Sequence, residues 1–246
     1  MLSGERLVRW SEPRLLGLRR VKTGVPQTFF LLTVVIFLGP GCSGIGTSRW
    51  AMDNKAYSKK YDVPYTGDDV DKVERMVKQS VDARHVDGQS GIYTGFAASD
   101  DPFTLGAEVG CFEYLTHSVE GRVGLKGLLG TGDKDYFAGI DAGLRLQSPT
   151  RFAPFVGVGT YVGGNSKSEA SEHDHIDNDD DGSTDEFGER KHVAHLFASI
   201  YPEVGAHFWL NGHTRLTASA QYHLTTAGRD DDFAFFGFSV ARLIGN

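Results

Sequence analysis

The amino-acid sequence predicts an all-β fold, an eight-stranded antiparallel up-and-down transmembrane β-barrel with a short N-terminal helix. Three observations carry that expectation. Stretches from Ser90 onward alternate with a period of two, as strands with two unlike faces do. The connections between them alternate between tight and loose in a fixed phase. One face of each strand is aliphatic, while the other collects glycines and charges of both signs. The run Val119 to Leu129 shows this best: Val123, Leu125 and Leu129 share one side, and Glu120, Arg122, Gly124 and Lys126 the other.

In chain order, the N-terminus comes first. Residues 14–22 carry Arg14, Arg19, Arg20 and Lys22, and Val25 to Gly41 is a short apolar core followed by small residues, so residues 1–41 read as an export signal peptide. The core falls short of the roughly 20 apolar residues that a membrane-spanning helix needs. Cys42, directly after Gly41, sits in L-G-P-G-C, which resembles a bacterial lipoprotein processing site and makes Cys42 the lipidation candidate. Removing residues 1–41 takes away six basic and two acidic side chains and moves the formal charge from −7 to −11. So acidic a chain is a poor partner for nucleic acid or for anionic lipid headgroups. With only Cys42 and Cys111, no disulfide framework is implied.

Residues 42–89 read as a periplasmic linker, without regular structure from Gly44 to Gly67 and with a helix at about 68–86. Val70, Val73, Val77 and Val81 recur at helical spacing, and Asp68, Asp69 and Asp71 suit the positive end of the helix dipole. The expected role of that helix is to cap the barrel end. Residues 90–246 then supply strands at Gly91 to Ala98, Phe103 to Tyr114, Ser118 to Leu129, Tyr136 to Leu146, Phe152 to Gly163, Val193 to Leu210, His213 to Leu224 and Phe233 to Leu243. Leu115 to His117, Gln147 to Arg151 and Asn211-Gly212 form one set of tight turns. The longer connections, including an acidic external loop at 164–192, fall on the opposite end.

Alternation alone fits two barrels, since a soluble lipocalin-like carrier turns its apolar face inward and a membrane barrel turns it outward. The mixed-sign set Glu108, Glu120, Arg122, Lys126, Asp141, Arg145, Glu203 and Arg215 favours the second. Those groups can pair in a narrow interior but would line an apolar ligand pocket badly. Aromatic residues near strand ends, at Phe112, Tyr114, Tyr136, Tyr161, Phe208, Trp209 and Phe233, are expected to form interfacial girdles. The closing strand F-F-G-F-S-V-A-R-L, with Phe236, Phe238 and Val240 on one face, resembles the C-terminal assembly signal of outer-membrane barrels, although the chain ends Ile244-Gly245-Asn246. On these residues the region 90–246 resembles the small OmpA/OmpX-type barrels. The resemblance implies the outer membrane of a diderm bacterium, a periplasmic N-terminal segment, outer-membrane lipid as surroundings and no particular activity.

Two motifs bear on function. In the acidic loop, Asp177, Asp179, Asp181 and Asp185 occupy relative positions one, three, five and nine, with Gly182 at six. Hard oxygen ligands around a tight turn suit calcium, and the pattern resembles the loops of thrombospondin type 3 and dockerin repeats. Gly188 stands where an EF-hand has its bidentate Glu. Calcium would suit a structural or adhesive role, with surface polysaccharide or an adhesion partner bridged through the ion. His173, His175, His192 and His195 flank the motif without a spacing that fixes a zinc or copper site. The enzymatic alternative rests on Tyr222-His223-Leu224-Thr225-Thr226-Ala227-Gly228, which resembles the H-x-S-N-A-G stretch of lipid A 3-O-deacylase barrels. Here Thr225 stands in the nucleophile position, and only Asp230, Asp231 or Asp232 could orient the histidine.

Overall fold

The structure, a computed structural model, describes residues 49–130, 135–171, 187 and 190–244. Its strands are β1 (Ser90–Ser99), β2 (Thr104–Thr116), β3 (Val119–Gly130), β4 (Tyr136–Gln147), β5 (Phe152–Ala170), β6 (Arg190–Trp209), β7 (Thr214–Thr225) and β8 (Phe233–Leu243). Each pairs antiparallel with the next, and β1 closes on β8 with Gly91 opposite Leu243, so the sheet closes into a barrel. The tight turns lie at one end, together with the start of β1 and the end of β8. The longer connections lie at the other.

All eight predicted strands are present, and the main departure is in β5 and β6. These run into what reads from sequence as the loop 164–192: Gly164 pairs with Leu196 and Ala170 with Arg190. The last partner of β5 on β4 is at Ser166, and β6 meets β7 only from Ser199. Beyond those points the pair stands free of the barrel as a two-stranded ribbon. With neither a core nor an apolar medium on either side, its residues need not alternate, and the strand signal fades from the sequence there.

Burial settles which face is inside. Along β3, Glu120, Arg122, Gly124, Lys126 and Leu128 are buried, while Val123, Leu125 and Leu129 are exposed. The same phase holds around the wall, with Ile92, Val109, Ile140, Val158, Ile200 and Phe238 all facing outward. The inward apolar face required of a soluble lipocalin-like carrier is therefore not what these strands form.

The segment before β1 is more ordered than the expected linker. It holds helix α1 (Lys55–Tyr61), helix α2 (Asp69–Val81) and a 3-10 turn at Arg84–Val86. Asn54 caps α1, its side-chain oxygen accepting from the amides of Ala56 at 3.0 Å and Tyr57 at 3.2 Å. The helix expected at 68–86 ends at Val81, because Asp82 turns extended and bridges Thr150 in the β4–β5 turn. No described helix is long and apolar enough to cross a membrane.

Candidate functional site: the sealed interior and its cap

The interior is built in layers, and the middle one is ionic. Arg122 donates to Asp141 at 2.7 Å and to Glu203 at 3.3 Å. Arg145 grips both oxygens of Glu203 at 2.8 and 2.7 Å and reaches Glu120 at 3.2 Å. Arg215 donates to Glu120 and to the Tyr114 hydroxyl. Lys126 donates to Gln221 at 2.7 Å, and Gln221 in turn donates to Glu203 at 2.9 Å. Every one of the eight charged residues assigned to the interior from sequence is buried, and their formal charges cancel. Isolated charges could not stay in so narrow a space; a balanced, hydrogen-bonded set can.

Above and below the ions lie aromatic layers, and here the expected interfacial girdles need correction. Phe112, Tyr114, Tyr161, Trp209 and Phe233 are buried inside, and of the girdle candidates only Tyr136 and Phe208 face outward. The phase explains this, since each buried one lies an even number of residues from a charged interior residue of its own strand or in step with one on the next. At the long-loop end Phe137, Tyr161, Phe197, Tyr201, Phe233 and Phe235 form one cluster, and Tyr161, Tyr201, Phe233 and Phe235 surround His223, whose ring stacks on Phe233 at 4.7 Å. Glycines make room for these rings. A side chain at Gly139 would bring Cβ within 2.5 Å of the Tyr161 ring, and Gly163 is just as close to its hydroxyl.

At the short-turn end the N-terminal segment supplies the closure. Trp50 and Tyr57 join Phe112, Tyr114 and Trp209 in one buried cluster, and His85 meets Trp50 at 5.5 Å and Trp209 at 5.9 Å edge-on. Polar contacts latch it to the β6–β7 turn: Asp53 accepts from the Gly212 amide at 3.1 Å and lies 2.9 Å from His213 Nδ1, and His85 Nε2 is 3.1 Å from the Gly212 carbonyl. Asp82 gathers Lys60 at 2.5 Å, Arg84 at 2.9 Å and the Tyr61 hydroxyl. Burial alone would raise the Asp82 carboxyl, but hydrogen bonds from Arg84, Lys60 and Tyr61 outweigh it and hold the group below its usual range. Burial pushes His85 down to about 4 and the Tyr57 hydroxyl up to about 12.

Of the sites expected from sequence, Cys42, Asp177, Asp179, Asp181 and Asp185 lie outside the described residues, as do His173 and His175. Among the described residues, no group of three or more His, Cys, Asp or Glu is placed to hold a metal ion. The deacylase-like pairing does not assemble. His223 points into the barrel and meets Ser199 Oγ at 2.8 Å, while Thr225 Oγ1 donates to the Gly228 carbonyl at 3.1 Å and its amide to Asp232 at 2.8 Å. Sequence reasoning missed the cap residues Trp50, Asp53, Tyr57 and His85. The signal available was local, an Asn cap followed by tyrosines four apart at Tyr57 and Tyr61.

No protein-family model matches the chain, and no curated protein matches it. Among solved structures it is similar to the N-terminal β-barrel domain of Pseudomonas aeruginosa OprF, at 15% identity over 64% of this chain and 99% of that one, with a TM-score of 0.43. It is also similar to Ail, the attachment invasion locus protein of Yersinia pestis, at 14% identity over 64% of this chain and 98% of that one, with a TM-score of 0.43. OprG from Pseudomonas aeruginosa matches at 12% identity over 63% of this chain and 96% of that one, with a TM-score of 0.37.

Proposed function

We propose that the chain is a non-enzymatic outer-membrane barrel of a diderm bacterium, with the tight turns and the capped end in the periplasm and the β5–β6 ribbon outside. Its role is structural or adhesive. One observation carries the membrane reading: a charge-balanced interior inside a wall whose outward face is mostly aliphatic and aromatic, its outward charges Glu113 and Arg242 lying at the short-turn end. Water is a poor solvent for such a surface and a bilayer a good one. Strands of 11 to 13 residues, as in β2, β4, β7 and β8, suit the roughly 9 to 11 that a tilted strand needs to cross. The layered, filled interior makes the barrel a rigid post and not a diffusion pore.

The acidic segment connects the two strands of that ribbon. Asp177, Asp179, Asp181 and Asp185 bind calcium there, with Gly182 making the turn. The ion neutralises the loop and bridges it to anionic surface polysaccharide or to another cell. Gel mobility of the detergent-purified protein, with and without heating and with calcium or chelator, tests both parts. A band that shifts on heating, and shifts again with calcium but not in an Asp179→Ala, Asp181→Ala variant, is expected. Heat-insensitive mobility together with solubility without detergent overturns the membrane reading, and indifference to calcium removes the ion.

A further inference from the structure

Helix α2 is mounted back to front for a helix on a protein surface. Its polar side faces the protein: Arg75 donates to the carbonyls of Tyr61 at 3.0 Å and Val63 at 2.8 Å, Gln79 is buried, and the Gln79 carbonyl accepts from the Tyr57 hydroxyl at 2.5 Å. Its apolar stripe faces away, with Val70 80%, Val73 60%, Val77 57% and Val81 44% exposed. The expected packing of this stripe on the barrel end is thus not made. Valine is also a mediocre helix former, so four on an exposed face gain nothing for the helix itself.

We propose that α2 lies in the headgroup layer of the leaflet at the capped end, with its valine face in lipid. The inference rests on the membrane reading above. Continuity with the barrel wall argues for lipid as the occupant. The Val81 carbonyl accepts from the Arg151 amide at 2.8 Å, and the next residue, Phe152, is exposed at the end of the aliphatic wall, as is Leu146 across the same turn. The stripe therefore starts at the rim of the lipid-facing belt. Charge selects the kind of surface: Asp69, Asp71 and Glu74 balance Lys72, Arg75 and Lys78, so the helix suits zwitterionic lipid and its seating is indifferent to salt.

The test uses the full chain in phosphatidylcholine vesicles, with one cysteine labelled by an environment-sensitive fluorophore and nitroxide-bearing lipids as quenchers. Native Cys111, exposed on the outer wall, reports the belt once Cys42 is replaced by serine; Val77→Cys and Lys72→Cys, each with Cys42 and Cys111 replaced by serine, report the two sides of α2. Blue-shifted emission and lipid quenching at Cys111 and Val77→Cys, unchanged by salt and absent at Lys72→Cys, are expected. Quenching at Cys111 with none at Val77→Cys overturns the inference and leaves the membrane reading standing. A blue shift at Val77→Cys without lipid quenching assigns the stripe to a protein partner or a second copy, and overturns it too. Quenching at Val77→Cys that salt abolishes overturns the valine face as the cause. No quenching at Cys111 removes both readings.

Discussion

The two ends of the barrel are closed by similar aromatic clusters of different origin. At the long-loop end the rings of Phe137, Tyr161, Phe197, Phe233 and Phe235 come from the barrel strands themselves. At the short-turn end Phe112, Tyr114 and Trp209 come from the strands, but Trp50, Tyr57 and His85 come from a segment that precedes β1. The first closure cannot open without unmaking the wall. The second is a docked piece, held by ring contacts and a few hydrogen bonds, and it is expected to leave while the barrel stays closed.

The comparison predicts effects of different kinds as well as sizes. The largest belongs to the built-in end. Phe233→Ala removes a ring stacked on His223 and tilted against Phe137 at 4.8 Å, and is expected to cost about 4 kcal/mol of global stability. It would be read as a lowered urea midpoint for the whole barrel in vesicles. Trp50→Ala should cost about 3 kcal/mol, yet the loss falls on docking. Hydrogen exchange would then speed up in residues 49–89 while the strands keep their protection and the heat-modifiable band persists. If both substitutions lowered the same global midpoint alike, the two closures would be one cooperative unit and the distinction would fall.

Asp53→Ala sharpens the point with a smaller change. It removes the acceptor for the Gly212 amide and the partner of His213 at a half-exposed site, so about 1.5 kcal/mol is expected, again on docking alone. Equal exchange rates in the cap of the variant and the parent protein would show that ring packing, and not this latch, holds the segment.

The difference between the ends also explains what could be read from sequence. Each wall residue sees one of two uniform surroundings, so alternation in β3 or β7 repeats long enough to be unmistakable, and all eight interior charges were legible with it. For the aromatic residues phase decides and nearness to a strand end does not: Tyr114 and Trp209 are near ends, but in step with the interior. The cap was illegible for a different reason. Helix α1 spans 7 residues, too short for periodicity to show, and the partners of the cap residues His85 and Asp53, Trp209 and Gly212, lie more than a hundred residues on. In α2 the valine stripe was plain to see, but a stripe says only that one side is apolar, not which side meets the protein.

Acid offers a gentle way to loosen the docked closure, because the cap carries a histidine, His85, that burial keeps neutral, whereas the buried His223 of the other closure is locked within the closed wall. His85 sits among Trp50, Tyr57 and Trp209, with Asp82 and Asp53 near enough to favour its charge and His213 opposing it, and its value falls from 6.5 to about 4. Between those values the undocked segment binds a proton that the docked one refuses, so docking weakens as pH falls from neutral. At pH 5.5 the loss is about 1 kcal/mol, and it continues to grow down to about pH 4. Asp82, held below its usual 3.8, adds a loss in the same direction only at lower pH. Cap protection factors, which divide out the intrinsic pH dependence of amide exchange, should therefore fall between pH 7 and 5 while strand protection holds. His85→Gln, which cannot take up the proton, should flatten that dependence even if it docks less well at pH 7. A pH profile in the variant as steep as in the parent would place the sensitivity elsewhere and deny the cap its titrating group.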